Sequence, residues 1–274
     1  MQEIPPRTLF TLLAVLLIVA GFVALLDRCV TSCPAAITYY GERVAYALDP
    51  SAKRAYEYGT RHFDHSQPLH HNIDRAEYFF RQTIKLNPGF SRAHHQLARI
   101  HFLRGNFSDA LSEINYEILL QGDQNPNAYY VRGLIKGFAQ LYESAAADFK
   151  YFLTLEPDSW AGANDYAWVA MKAGEYAAAI PVLETALEMH PDNAWLLNSY
   201  AIALYETGAE EKAIQIGERA KAAVELLNPQ DWSAANPGND PRIAAAGLDT
   251  FRKATIQNLS IMTNGQALNA VQLR

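Results

Sequence analysis

The chain has 274 residues, of which 50% are hydrophobic and 19% are charged, and its formal net charge is −6. The hydrophobic fraction excludes a largely disordered chain, and the acidic balance disfavours non-specific binding to nucleic acids, which requires a basic surface. The two cysteines are too few for a disulfide scaffold or a four-thiolate metal site. The composition therefore indicates a folded protein outside these three classes.

The first predicted element is a membrane span over residues 8–26, which carry no charge and lie between Arg7 and Asp27. A helix of this length would measure about 28 Å, close to the hydrocarbon thickness of a bilayer. A cleaved signal peptide is the alternative, but its apolar core would be shorter and small residues would follow it. Since Asp27 and Arg28 follow here, we expect a retained single-pass anchor in the lipid bilayer.

The orientation of this anchor is weakly marked, because Arg7 lies on one side and Arg28 and Arg43 lie on the other. A short head before a long body favours a signal anchor, so we expect the body on the exported side, periplasmic or extracellular, rather than in the cytoplasm. Residues 28–50 are predicted to form a linker, in which residues 41–48 could form a short helix. Cys29 and Cys33 in this linker would pair in an oxidising space and remain thiols in the cytosol.

A repeat of about 34 residues follows the linker. Alanines recur at intervals of 34, 35, 34 and 34 residues: Ala76, Ala110, Ala145, Ala179 and Ala213. Three glycines (Gly105, Gly174 and Gly208) and three prolines (Pro88, Pro157 and Pro191) follow the same period. A fixed period of this length indicates stacked supersecondary units.

Each unit is predicted to be a pair of helices. Within residues 160–193, apolar residues recur at helical spacing in two blocks, separated by a turn that contains Gly174. Gly174 suits the left-handed residue that ends a helix, and Pro191 ends the second helix. Small residues such as Ala179 are expected where two helices cross. The pattern therefore predicts an all-α fold.

The repeat resembles that of the tetratricopeptide repeat (TPR) family. The markers are clearest in residues 160–193, where Gly174, Tyr176, Ala179, Ala186 and Pro191 occupy the family's positions. The resemblance implies a right-handed α-solenoid of about five helix-turn-helix repeats over residues 51–227, preceded by the transmembrane helix. The first repeat departs from the pattern by a longer turn around residues 66–71, and the second by Glu117, which replaces a small residue.

The region after the repeats, residues 228–274, is predicted to contain a loop, a capping helix and a tail. Asparagine, proline and glycine dominate residues 228–241, which are typical of a loop. Residues 242–258 are predicted to form a helix that covers the exposed side of the last repeat. Residues 260–274 are expected to form a loose tail.

Seven of the eight histidines lie between residues 62 and 101. A metal-binding or sensory module on the same scaffold is therefore the alternative to a protein-binding scaffold. The repeat frame, however, places His62, His94 and His101 at packing positions, and no cysteine or carboxylate completes a ligand set. We expect His70 and His71, in the long turn, to be exposed, and we expect neither a metal nor another cofactor.

Motifs of enzymes are absent from the sequence. There is no G-x-S-x-G, no phosphate-binding loop, no G-x-G-x-x-G and no H-E-x-x-H. We therefore expect no enzymatic activity.

The resemblance also implies a binding surface, because the first helices of successive TPR units line a concave groove that binds a partner protein or peptide. The residues implied on this groove are His95, Arg99, Phe102, Tyr130, Leu134, Phe138, Asn164, Trp168, Asn198, Ile202 and Tyr205. Aromatic rings beside amides suit peptide capture, and Asn164 and Asn198 should stack as a ladder.

Within this groove, Trp168 is expected to be an accessible anchor whose removal leaves the fold intact. The alternative is that some rings only fill space between repeats, or that the C-terminal helix occupies the groove. The resemblance implies roles such as envelope complex assembly, secretion or chaperoning.

Overall fold

A computed structural model of the chain describes residues 35–236 and 239–267, and this part of the chain consists of helices and turns. The predicted membrane span at residues 8–26, Cys29 and Cys33 all lie outside the described residues. Among the helices that are described, none combines the length and the hydropathy that crossing a membrane requires.

The α-helices are α1 (Ala35–Leu48), α2 (Ala52–Phe63), α3 (Ile73–Leu86), α4 (Ala93–Leu103), α5 (Phe107–Gln121), α6 (Asn127–Phe138), α7 (Tyr142–Leu155), α8 (Trp160–Lys172), α9 (Tyr176–Met189), α10 (Ala194–Glu206), α11 (Glu210–Leu226), α12 (Pro229–Ala235) and α13 (Ala244–Thr263). Short 3-10 turns lie at Gly122–Gln124 and Pro241–Ile243. The described residues therefore form an all-α, TPR-like fold.

The helices divide into two compact units, one up to Phe90 and one from Ser91 onwards. In the first unit, α2 packs against α3 and against α1. In the second unit, the pairs α4–α5, α6–α7, α8–α9 and α10–α11 follow one another, and each pair packs on the next as in a solenoid. Helix α13 packs on α11 at the end of this series.

The alanines of the 34-residue period mark the helix contacts, as predicted. Ala76, Ala110, Ala145, Ala179 and Ala213 all have an exposed fraction of zero. A methyl side chain leaves room for the axis of the partner helix, so a larger residue at these positions would overpack the contact.

The turn between the two helices of a repeat requires a left-handed residue. Gly105, Gly174 and Gly208 have φ values of +74°, +83° and +86°, which confirms the prediction for Gly174. In the α6–α7 repeat, Gln140 takes this position with a φ of 62°. The glycine series skips this repeat in sequence, but the backbone conformation does not change.

Glu117 departs from the small-residue pattern because it caps a helix. The fully buried carboxylate of Glu117 accepts hydrogen bonds from the backbone N–H groups of Arg92 (2.9 Å) and His95 (3.3 Å) at the start of α4. It also accepts one from Asn125 Nδ2 at 2.9 Å. Because the N-cap residue Arg92 makes no side-chain cap of its own, Glu117 supplies the acceptor for these amides.

The segments that flank the repeats hold more helix than the sequence predicts. Helix α1 begins at Ala35, ahead of the predicted 41–48, and packs on α2. In the predicted loop after residue 228, α12 begins with a capping box in which Asn228 and Asp231 bond each other's backbone N–H groups, and Pro229 opens the helix.

The capping helix is present and longer than expected, since α13 runs from Ala244 to Thr263. It packs closely on α11, where Leu259 Cδ1 would lie only 3.0 Å from a Cβ added at Gly217. Trp232 of α12 packs against Gly247 of α13 in the same way, within 2.3 Å of an added Cβ. These glycines allow the C-terminal helices to pack tightly.

Candidate partner-binding groove

The first helices of the second unit line a common cavity of about 790 Å³. Eight of the residues that the sequence assigns to the groove line it: Arg99, Phe102, Tyr130, Leu134, Phe138, Asn164, Trp168 and Asn198. Residues of α12, α13 and the loop between them form another wall of the same cavity. The structure therefore places side chains from four repeats and from the C-terminal segment around one space.

The aromatic residues on α6 and α8 differ in how accessible they are. Phe138 is 42% exposed, and its ring centroid lies 5.1 Å from those of Phe102 and Trp168. Trp168 is only 6% exposed, and atoms of its ring would lie 2.7 Å from a Cβ added at Gly137. Trp168 is therefore part of the packing between α6 and α8, and the expectation of an accessible anchor is wrong for this physical reason. We therefore expect removal of the ring to destabilise the fold.

A hydrogen-bond network joins three successive repeats at the polar side of the cavity. Tyr130 donates from its hydroxyl to Asp165 Oδ2 at 2.7 Å, and Ser199 Oγ donates to Asn164 Oδ1 at 2.8 Å. Asp165 is 6% exposed, and Asn164 lies next to it. These contacts fix the orientation of the polar side chains, which reduces the entropy cost of binding a ligand.

Two of the groove residues on α10 are hydrogen-bonded to the C-terminal segment. Asn198, which is 7% exposed, accepts a hydrogen bond from Asn258 Nδ2 of α13 at 3.2 Å. The hydroxyl of Tyr205 donates to the carbonyl oxygen of Gln266 at 3.0 Å. Ile202 is fully buried, so it presents no surface to a partner. Asn164 and Asn198 therefore have different partners, Ser199 and Asn258, where the sequence led us to expect one ladder.

Four further aromatic residues also line the cavity: Trp160, Trp195, Trp232 and Phe251. The ring centroids of Trp160 and Trp195 are 5.3 Å apart, and Trp195 and Phe251 stack at 5.1 Å with an interplanar angle of 7°. Trp160 and Trp195 open α8 and α10, so the recurrence of tryptophan near the start of both helices was a usable signal. Trp232 and Phe251 lie outside the repeats and carried no such signal.

His95 lies apart from this cavity, in a second one of about 480 Å³ that Arg92, Gln96 and Arg99 also line. The ring is 4% exposed, and its Nδ1 has no hydrogen-bond partner among the described residues. Burial, followed by the charges of Arg99 and Arg92, lowers the pKa of His95 to about 3. His95 is therefore neutral at physiological pH, so its ring can form a hydrogen bond in the second cavity but carries no charge.

The other histidines are engaged in packing. His62 is fully buried, and its Nε2 lies 2.6 Å from Glu42 Oε2 while its Nδ1 lies 3.2 Å from the carbonyl oxygen of His70. His94 Nδ1 lies 2.6 Å from Glu113 Oε2. His70 is 8% exposed, so the expectation of an exposed side chain is wrong, because the turn folds back onto α2.

This packing bears on the metal-binding alternative. Both ring nitrogens of His62 face oxygen atoms and are not available to a metal ion. Within residues 35–236 and 239–267, no three histidine, cysteine or acidic side chains are arranged as a metal site. No observation on the described residues favours the metal-binding or sensory module.

Comparison with known proteins also finds tetratricopeptide repeats in part of the chain. Two models described as Tetratricopeptide repeat match residues 130–181 and 170–246. No curated protein sequence matches the chain at a significant level.

Solved structures are similar in fold. One, described as "Functional Characterization of Pseudomonas Aeruginosa pilF", has a TM-score of 0.57 and 14% identity, and the match covers 76% of this chain and 93% of that one. Another, described as "Crystal structure of MamA protein", has a TM-score of 0.54 and 17% identity over 64% of this chain and 92% of that one. At these identities the likeness concerns the fold alone.

Proposed function

We propose that the chain is a membrane-anchored tetratricopeptide repeat scaffold that binds a partner protein or peptide in the cavity described above, since two models of that family match within residues 130–246. The observation that carries the proposal is the cavity of about 790 Å³, which combines exposed aromatic surface with oriented amide and hydroxyl groups. Apolar rings supply contact area that loses water on binding, and amides can pair with the backbone of a peptide. A scaffold of this kind acts by binding, and we propose no catalytic role for it.

The proposed site is centred on the open part of the groove. It comprises Arg99, Phe102, Tyr130, Leu134, Phe138 and Asn164, with the Trp160–Trp195 pair at its edge. Trp168 and Asn198 are buried in the wall of the cavity, whereas the buried Ile202 and Tyr205, which bonds Gln266, are not part of the proposed site. His95 lies at the second cavity, which joins the first along Arg99 and Asn127.

Position-specific crosslinking tests where the partner binds. A photoreactive residue at Asn127, which is exposed and lines both cavities, should form an adduct with a partner in native membranes. The matched control is Leu141, which is 49% exposed in the turn before α7 and does not line either cavity. An adduct from Leu141 but none from Asn127 would place the binding surface outside the groove.

We propose that the uncharged segment at residues 8–26 holds the scaffold in a bilayer, with the repeats on the exported side. The support is the length of this segment and its place before a long body. Roles in envelope complex assembly, secretion or chaperoning would suit such a location. Alkaline carbonate should leave the full chain in the membrane pellet, and an added protease should cleave the repeats in intact spheroplasts. Release by carbonate, or protection from the protease, would contradict the anchor or its orientation respectively.

A further inference from the structure

One face of α1 exposes a continuous apolar stripe. Ile37, Tyr40, Val44 and Leu48 are 47%, 65%, 46% and 56% exposed. Their spacing of three, four and four residues places them on one side of the helix. Large apolar side chains that are contiguous on a surface, unlike single exposed ones, mark an interaction site.

Helix α1 is held in this orientation by a buried carboxylate on its other face. Glu42, which is 2% exposed, lies 2.5 Å from Arg61 Nη1 and 2.6 Å from His62 Nε2, both on α2. The neighbouring Thr38 and Ala45 are also buried. A rotation of α1 that covered the stripe would leave the carboxylate and its partners unpaired, at a high cost in a desolvated place. The stripe therefore stays outward in the folded unit.

The composition of this face suits the boundary between lipid and water. No charged residue interrupts the stripe, and Arg43 lies at its edge with its guanidinium 4.6 Å from the centroid of the Tyr78 ring. Tyrosine is enriched at the level of lipid headgroups, and Tyr40, 65% exposed, is the most exposed residue of the stripe.

The place of α1 in the chain identifies the partner. The uncharged segment ends at Leu26, and eight residues separate it from Ala35 at the start of α1. Eight residues reach at most about 28 Å. If residues 8–26 span a bilayer, α1 is therefore confined close to its surface.

We propose that α1 lies on the membrane with Ile37, Tyr40, Val44 and Leu48 in the lipid headgroup region, which orients the first repeat against the bilayer. This proposal rests on the membrane anchor proposed above. The competing occupant is a second copy of this chain, which could pair stripe against stripe.

The test uses the full chain in native membranes with benzoylphenylalanine at one position. Val44→benzoylphenylalanine places the probe on the stripe, and Leu86→benzoylphenylalanine on α3 is the matched control, since the two residues are 46% and 44% exposed. On illumination, several-fold more phospholipid adduct should form at position 44 than at position 86. The proteolytic pattern of both variants should match that of the parent, which shows that the fold is kept.

The outcomes separate the two proposals. Adducts of twice the chain mass at position 44 would assign the stripe to a second copy, and equal or absent lipid adducts at the two positions would also overturn the proposal. Carbonate extraction of the same membranes reports on the anchor. Release by carbonate with lipid adducts at position 44 would overturn the anchor alone, whereas retention without such adducts would overturn the stripe alone.

Discussion

The groove positions on α6 and α8 and the equivalent positions on α10 have different surroundings. On α6, Leu134, which has the same repeat position as Ile202, is half-buried and lines the cavity. On α10, Ile202 is fully buried and Asn198 is bonded to Asn258 of α13. The same repeat position therefore lines the cavity on α6 and is fully buried on α10.

This difference shows that the repeat determines where a side chain points, but its neighbours determine whether it is accessible. The last repeat has no following repeat to cover its apolar side, so α13 takes that place. Helix α13 packs on α11 and also contacts α10, and residues of α12 and α13 line the same cavity. We expect a ligand to contact the groove mainly on α4, α6 and α8, with Trp195 of α10 at its edge, and this asymmetry can be tested residue by residue.

The largest effect is expected from Trp168→Ala. Since Trp168 is 6% exposed and packs against Gly137, loss of the ring should lower the free energy of unfolding by about 3–5 kcal/mol. Phe138→Ala, at a position 42% exposed, should cost about 1 kcal/mol. Denaturant unfolding of both variants measures the contrast. Equal losses would show that the two rings do not differ in burial.

Ala179→Leu tests the helix contact that the repeat pattern places at this alanine. Ala179 is fully buried between helices, so the added methylenes should overpack the contact and lower the free energy of unfolding by about 1–3 kcal/mol. Ala178→Leu, on the exposed side of the same turn, is the matched control and should leave the melting midpoint nearly unchanged. A similar midpoint for the two variants would mean that the repeat frame is misplaced at this turn.

His95, at the second cavity, should make the stability of the fold sensitive to acid. Its pKa of about 3 lies below the unfolded value of 6.5, so below pH 6.5 the unfolded chain takes up a proton that the folded chain does not. The free energy of unfolding should therefore fall by about 1.4 kcal/mol per pH unit between pH 6.5 and 3 through this group. His95→Gln should remove that part of the slope in unfolding measured from pH 7 to 5. An unchanged slope would mean that the ring is protonated in the folded protein.

The smallest effect is expected for the contact between α10 and α13. The hydrogen bond between Asn258 and Asn198 should contribute a coupling energy of about 0.5–1.5 kcal/mol. A double-mutant cycle with alanine at both positions measures it in denaturant unfolding. Strictly additive single losses would indicate that α13 does not hold Asn198 in solution.

The sequence predicted the parts of this molecule that repeat. The period located Ala179 at a helix contact and Gly174 in a left-handed turn, because each follows from geometry that every unit shares. It did not reveal that Gln140 adopts the same turn, since the backbone keeps its conformation where the glycine is lost. It also did not reveal the partner of Asn198, because Asn258 lies on a helix outside the repeats.

The flanking helices show a second limit of the sequence reasoning. The start of α12 could have been predicted from local sequence, since Asn228 and Asp231 form a capping box and Pro229 lies in the first turn. The pairing of Glu42 with His62 had none, because it joins two helices that no local pattern connects. Local capping can therefore be derived from neighbouring residues, whereas contacts between helices outside the period need the structure.

The most direct test of the groove is the affinity of the captured partner for Phe138→Ala. If the partner binds on α4, α6 and α8, loss of this exposed ring should weaken binding about 30-fold, which corresponds to the 2 kcal/mol typical of a hot-spot anchor. Leu141→Ala, at a residue 49% exposed but outside the groove, should change the affinity less than about twofold on the same scale. An unchanged affinity of a folded Phe138→Ala chain would contradict binding in the groove.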